Sequence, residues 1–145
     1  MKYPRILTAL LVLVCTAFLS GCVTQLNANL TPGTKLAEVK TFYVVHLPAD
    51  GRGVERLIAD RLNTMGKQAT YGEESAIPAG VDAVVTYQDK WMWDITMYMI
   101  ELNIQLRQPK TNMAIATGHS LRTSLVRKSP PEMVEEVLSQ IFKQE

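Results

Sequence analysis

Cysteine is almost missing from this 145-residue sequence, and the two that occur, Cys15 and Cys22, both fall within the first 22 positions. No internal disulfide can staple the body of the chain, and no Cys-x-x-Cys spacing offers a zinc or redox site. Histidine is equally scarce: His46 and His119 stand alone, with no second ligand at metal-like spacing. Each reads as a strand residue, and no metal or other cofactor is expected. Charge of one sign is not in excess either. Fifteen basic side chains, less Lys2 and Arg5 of the leader, leave thirteen against fourteen acidic ones. So even a balance argues against nucleic acid as a partner, which would need a basic surface. After residue 19 no apolar run approaches the roughly 20 residues that span a bilayer as a helix.

Catalytic patterns are missing too. Gly51 and Gly53 of "DGRG" precede a helix but lack the full phosphate-loop signature. Ser120, Thr123 and Ser124 lie near His119, yet strand alternation separates His119 from Ser120 and there is no nucleophile elbow. Glu73, Glu74, Asp89 and Asp94 are the available acids for hydrolysis, and they read as solvated loop residues. Arg122, Arg127 and Lys128 form a modest basic cluster whose default role is a solvated edge. An enzyme is therefore not expected.

What is present begins with "MKYPRILTALLVLVCTAFLSGC". Lys2 and Arg5 precede a 14-residue stretch, Ile6 to Leu19, that is apolar apart from Thr8 and Thr16. It is too short to span and is followed by small residues, which is the pattern of a secretion signal. Leu19-Ser20-Gly21-Cys22 resembles the lipobox of bacterial lipoproteins. That resemblance implies cleavage before Cys22, lipid on its sulfur and amine, and a mature chain of 124 residues. Each buried acyl methylene contributes ~0.8 kcal/mol, so two or three chains anchor almost irreversibly. In such lipoproteins an aspartate after the cysteine commonly retains the protein at the inner membrane. Val23 stands there instead, which implies the outer membrane, facing the periplasm.

The mature chain divides in two. Residues 22–38 are polar, broken by Pro32-Gly33, and read as a lipidated tether, with an edge strand as the alternative use of a few of them. Residues 39–145 read as a single domain. "KTFYVVHL", 40–47, is a strand by its aromatic and β-branched content. Residues 51–65 form an amphipathic helix that Asp50 can cap and Gly66 can end. "KQATYG" is a marginal second strand, and "EESAIPAG" is a loop. "VDAVVTYQDKW", "ITMYMIELNIQLRQ" and "MAIATGHSLRTSL" read as an antiparallel meander. Last comes a helix opened by Ser129, two prolines and Glu132 as a capping box, with Met133, Val134, Val137, Leu138, Ile141 and Phe142 as its apolar stripe. Two helices each with one apolar side require a shared apolar surface. The expected fold is an α+β two-layer sandwich: a four- to five-stranded, mainly antiparallel sheet with both helices on one face.

"DKWMWDITMYMIELN", 89–103, concentrates both tryptophans and three of the seven methionines without a glycine or proline. A reversal is expected within 90–94. Strict alternation then sends Tyr98, Ile100, Leu102, Ile104 and Leu106 under the helices. It leaves Met97 and Met99, with Trp91 or Trp93, as an apolar end on the helix-free face. Trp91, Trp93, Met97 and Met99 are accordingly the candidate binding residues. Three uses stand open: closing the sheet's own end, docking a protein partner or a second copy, and contact with acyl chains.

Taken with the lipobox, the stretch "VDAVVTYQDKWMWDITMYMIELNIQLRQPKTNMAIATGHS" followed by "RKSPPEMVEEVL" resembles a group of small lipoproteins of Gram-negative bacteria. It brings no activity with it. The function expected is a lipid-anchored, non-enzymatic periplasmic interaction or accessory protein of the cell envelope. The alternative is an accessory module that binds lipid or a small molecule between sheet and helices.

Overall fold

A computed structural model describes residues 24–144. The leader and Cys22 lie outside the described residues, as does Glu145. Chain order is β1 (Thr24–Leu30), β2 (Thr41–Val45), α1 (Val54–Thr64), β3 (Gln68–Gly72), β4 (Ala83–Trp93), β5 (Met97–Arg107), β6 (Ala114–Arg122) and α2 (Pro130–Phe142). Single 3-10 turns fall at Leu36–Glu38, Glu74–Ala76 and Ser124–Val126.

All six strands join one sheet in the order β1-β6-β5-β4-β2-β3. The β4-β5-β6 meander is antiparallel, and β1 adds antiparallel to β6. β2 is parallel to both of its neighbours, β3 and β4. The α+β class holds, with six strands in place of four or five and a mixed sheet in place of a mainly antiparallel one. The parallel part follows from α1: a helix between two strands carries the chain back to the end where it started, so the strands it links run the same way.

The sixth strand corrects the tether reading for residues 24–38. Thr24 through Leu30 pair residue by residue with Arg122 through Ala116. Leu26, Ala28 and Leu30 are half-buried against the core. Leu36 is fully buried. Polar residues alternating with small apolar ones suffice for an edge strand that has only one side to cover. The folded body thus begins at least 15 residues earlier than the expected boundary at 39.

Both helices lie on one face of the sheet, as the two apolar stripes require. Val54, Ile58 and Leu62 of α1 and Met133, Val134, Val137, Leu138 and Ile141 of α2 are buried. They meet Phe42, Val44, Val85, Leu102, Ile104 and Leu106 from the strands in one continuous core. At Gly118 the approach of α2 is so close that an added Cβ would lie 2.7–2.9 Å from Val137 and Ile141. Helix α1 starts at Val54 rather than 51, because Gly53 takes a left-handed φ of 72°.

Candidate functional site

The β4-β5 hairpin carries the candidate binding residues, and its register decides what they do. Lys90 pairs with Glu101, but Trp91 pairs with Met99, so Ile100 is an extra residue on β5. Such a bulge reverses the side on which every later side chain projects. Met99 therefore turns into the core and is fully buried, while Tyr98 leaves the core side and meets Met92 on the opposite face, with Tyr98 Oη 3.7 Å from Met92 Sδ. The expected placement of Tyr98 and Ile100 under the helices is corrected by this one inserted residue.

The reversal falls at 94–96, not 90–94, so β4 stays a regular strand through Trp93. On it, Tyr87, Asp89, Trp91 and Trp93 follow Ala83 and Val85 on the helix-bearing face. The Trp91 indole donates to Asp89, and the Arg52 guanidinium stacks 4.3 Å from the ring centroid. Trp91 is half-buried against the core. Trp93, pairing with Met97, lies beyond the helices and remains 68% exposed, and Met97 46%. The four candidate residues are thus split: Met99 is core, Trp91 closes the sheet's end, and only Trp93 and Met97 are open.

Three more exposed apolar residues lie at this end: Met92, on the opposite face from Trp93, at 50% exposed, Ile95 at 89% and Leu125 at 82%. Arg127 ties the turn that holds Leu125 to the hairpin. Its guanidinium donates to Thr96 Oγ1 at 2.9 Å and to the Asp94 carboxylate, and sits 4.2 Å from the Tyr98 ring centroid. A signal was available: a β-branched apolar residue, Ile95, at the tip of a turn is where polar residues are the rule.

A second cluster lies where β2 ends and α1 begins. Asp50 accepts the Arg52 and Val54 amides, each at 2.7 Å, and so caps α1 as expected. The Tyr87 hydroxyl lies 2.8 Å from Asp50 and 2.9 Å from Glu55, and accepts the Leu47 amide at 3.3 Å. His46 Nδ1 is 3.3 Å from Glu55. Burial by itself would raise the Asp50 carboxyl, but the Arg52 amide, the Tyr87 hydroxyl and the Val54 amide outweigh it and hold it below the ordinary value. Burial and the bond to Asp50 push the Tyr87 phenol far above its usual range. Because Asp50 already holds the loop's amides, Gly51 and Gly53 are not a vacant anion cradle.

The other candidates are dispersed. Asp89 and Asp94 serve Trp91 and Arg127 separately. His119 Nε2 lies 3.2 Å from Glu101, which also takes Lys90 at 2.6 Å. Arg122 and Lys128 converge on Glu136 of α2, and Ser120 donates to the same carboxylate. Burial works against ionised Glu136, but the bonds from Arg122, Lys128 and Ser120 prevail and lower it. Among the described residues no three His, Cys, Asp or Glu side chains gather as a metal site.

Between sheet and helices the buried side chains form one contiguous cluster. A concavity of about 580 Å³ crosses the helix-free face. Its lining mixes apolar surface with the polar side chains of Asn27, Asn29, Gln88, Asn103, Gln105 and Arg107. The buried Arg107 Nε has no hydrogen-bond partner there.

Two solved structures share this fold. They are PelC dodecamers from Paraburkholderia phytofirmans, one of them a point variant, both 14% identical to this chain. They superpose with TM-scores of 0.59 and 0.61 over 82% of this chain and 97–98% of theirs. A minor lipoprotein from Acinetobacter baumannii, 13% identical, overlaps 73% of this chain and 92% of its own at a TM-score of only 0.35, too poor a superposition to bear on the fold. No family model matches the sequence, and no curated protein does.

Proposed function

We propose that this chain is a lipid-anchored, non-enzymatic accessory protein of the bacterial cell envelope that faces the periplasm from the outer membrane and works as a homo-oligomer. The observation that carries the reading is that the sheet is open at both sides. Among the described residues β1 and β3 each pair with a strand on one side only; on β3 the Asn63 side chain takes the outward amide and carbonyl of Ala69, which leaves Tyr71 as the open position of that edge. Natural proteins cover or blunt such edges, and pairing with another copy is one way of doing so. An edge of one copy against the opposite edge of the next is a head-to-tail contact, which closes into a ring when the rotation allows. The PelC structures of the same fold are dodecamers. The lipobox resemblance supports the anchor. The polar cluster around Tyr87 supports a non-enzymatic reading, because its hydrogen bonds are spent on capping α1 and holding the loop before it.

The test is the mass of the lipidated protein in detergent, measured by light scattering and native mass spectrometry. A multiple of the protomer mass is expected, falling to one protomer when Tyr71 on the β3 edge is replaced by Lys. A protein that stays monomeric at every concentration overturns the reading. A second reading, binding of a polar small molecule, is favoured by the open-face concavity and the unpartnered Arg107 Nε. Ligand-induced protection of Asn103 and Arg107 amides from hydrogen exchange would support it.

A further inference from the structure

Five of the seven large apolar side chains that are exposed among the described residues crowd one end of the molecule: Met92, Trp93, Ile95, Met97 and Leu125. The strand register shows which end. Thr24, where β1 starts, pairs with Arg122, where β6 finishes. Leu121 beside it pairs with Glu101, and Glu101 with Lys90. From that level the hairpin continues alone through three more pairs, ending at Trp93 and Met97. At ~3.3 Å per residue it stands about 10 Å proud of the sheet. Cys22 precedes Thr24 by two residues. Whatever path those residues take, they span at most ~7 Å. The start of the first strand, the apolar hairpin tip and the Leu125 turn therefore share one end of the sheet, and the cysteine is bound covalently to that end.

We infer that the β4-β5 hairpin tip, with Trp93 and Ile95 leading, beds into the interfacial layer of the bilayer that holds the acyl chains of Cys22. The inference rests on the lipid-anchor reading and adds an orientation to it: the sheet stands end-on to the membrane on two supports, lipid and hairpin. The chemistry of the tip fits a lipid interface. Trp is the side chain that settles at headgroup depth, with an apolar body and one polar N–H. Most cations near the tip are paired with carboxylates, Lys90 with Glu101, Arg127 with Asp94, and Arg122 and Lys128 with Glu136, while Arg52 stacks on Trp91. Attachment at the tip is therefore mainly apolar and depends little on lipid charge.

The experiment uses the full lipidated protein in vesicles of zwitterionic phosphatidylcholine, with and without bromine on the acyl chains, and compares it with Trp93→Phe. Trp93 is exposed, so this change leaves the fold intact. Flotation with the vesicles, mass spectrometry of Cys22 and tryptophan emission are read on each sample. The expected result is that both proteins float, and that brominated lipid removes the share of emission that Trp93→Phe lacks, with no dependence on salt. Three outcomes overturn the inference. If both float and the Trp93 emission stays unquenched and at water-exposed wavelengths, the anchor stands and the hairpin is not in the membrane. If Trp93 emission shifts with protein concentration rather than with lipid, the tip contacts protein. Failure to float, with no acyl mass on Cys22, removes the anchor and the inference with it.

Discussion

Tyr87 serves two carboxylates with one proton. Its hydroxyl accepts the Leu47 amide and faces both Asp50 and Glu55, all within a region where Asp50 is 7% and Tyr87 4% exposed. Removing the hydroxyl leaves buried acceptors without their donor, which costs about 1–3 kcal/mol. Tyr87→Phe should lower the urea midpoint accordingly, without altering the dependence of stability on denaturant. The same cluster sets an acid limit. The folded-state carboxyl of Asp50 is held below its ordinary value, so it binds its proton less readily folded than unfolded. Its stabilisation is complete above the unfolded value of about 4 and is lost as pH falls through the lower, folded one. Glu136, lowered by Arg122, Lys128 and Ser120 against the effect of burial, acts in the same direction. Urea unfolding in steps from neutral to acid pH should show stability falling below about pH 4. Asp50→Asn should be less stable at neutral pH and have a shallower acid decline.

Elements reveal where alternation succeeds and where one inserted residue defeats it. Strand β4 keeps a period of two from Ala83 to Trp93, so its buried set was readable. Strand β5 obeys the same period from Leu102 to Leu106 and then breaks at Ile100. No turn residue or glycine marks the bulge, and only the pairing partner reveals it. Its consequence is measurable: Met99→Ala should cost about 2–5 kcal/mol, as deletion of a core side chain does. Met97→Ala, two residues away and half in solvent, should stay within about 0.5 kcal/mol. Equal costs at the two positions would contradict the bulge. Helix α2 is the opposite case, an element that its own residues specify. Ser129 donates from both its amide and its hydroxyl to Glu132, at 2.8 and 2.6 Å, which holds that carboxyl below its usual value. Ser129→Ala should cost about 1 kcal/mol by thermal unfolding.

At the scale of the whole described body, the start of β1 and the apolar hairpin tip lie at the same end of the sheet. That strand runs from the end where β6 finishes, covers the outer edge of β6 and supports α2 through Leu26, Ala28 and Leu30. A shortened chain lacking residues 23–30 should lose several °C in Tm or its cooperative transition, measured by circular dichroism. A true tether could be removed without effect on the fold.

The sequence by itself determined the elements whose signals are local. Both helices, the meander and the two-layer α+β arrangement came from caps and periods that need no distant partner to be recognised. Tertiary structure decided three things: that Thr24–Leu30 is a strand, that β2 runs parallel to both its neighbours, and that Met99 is inside while Trp93 is outside. Each depends on which segment lies alongside which. A strand's side chains acquire a face only when a partner fixes the register, and that partner here is up to 98 residues away in the chain.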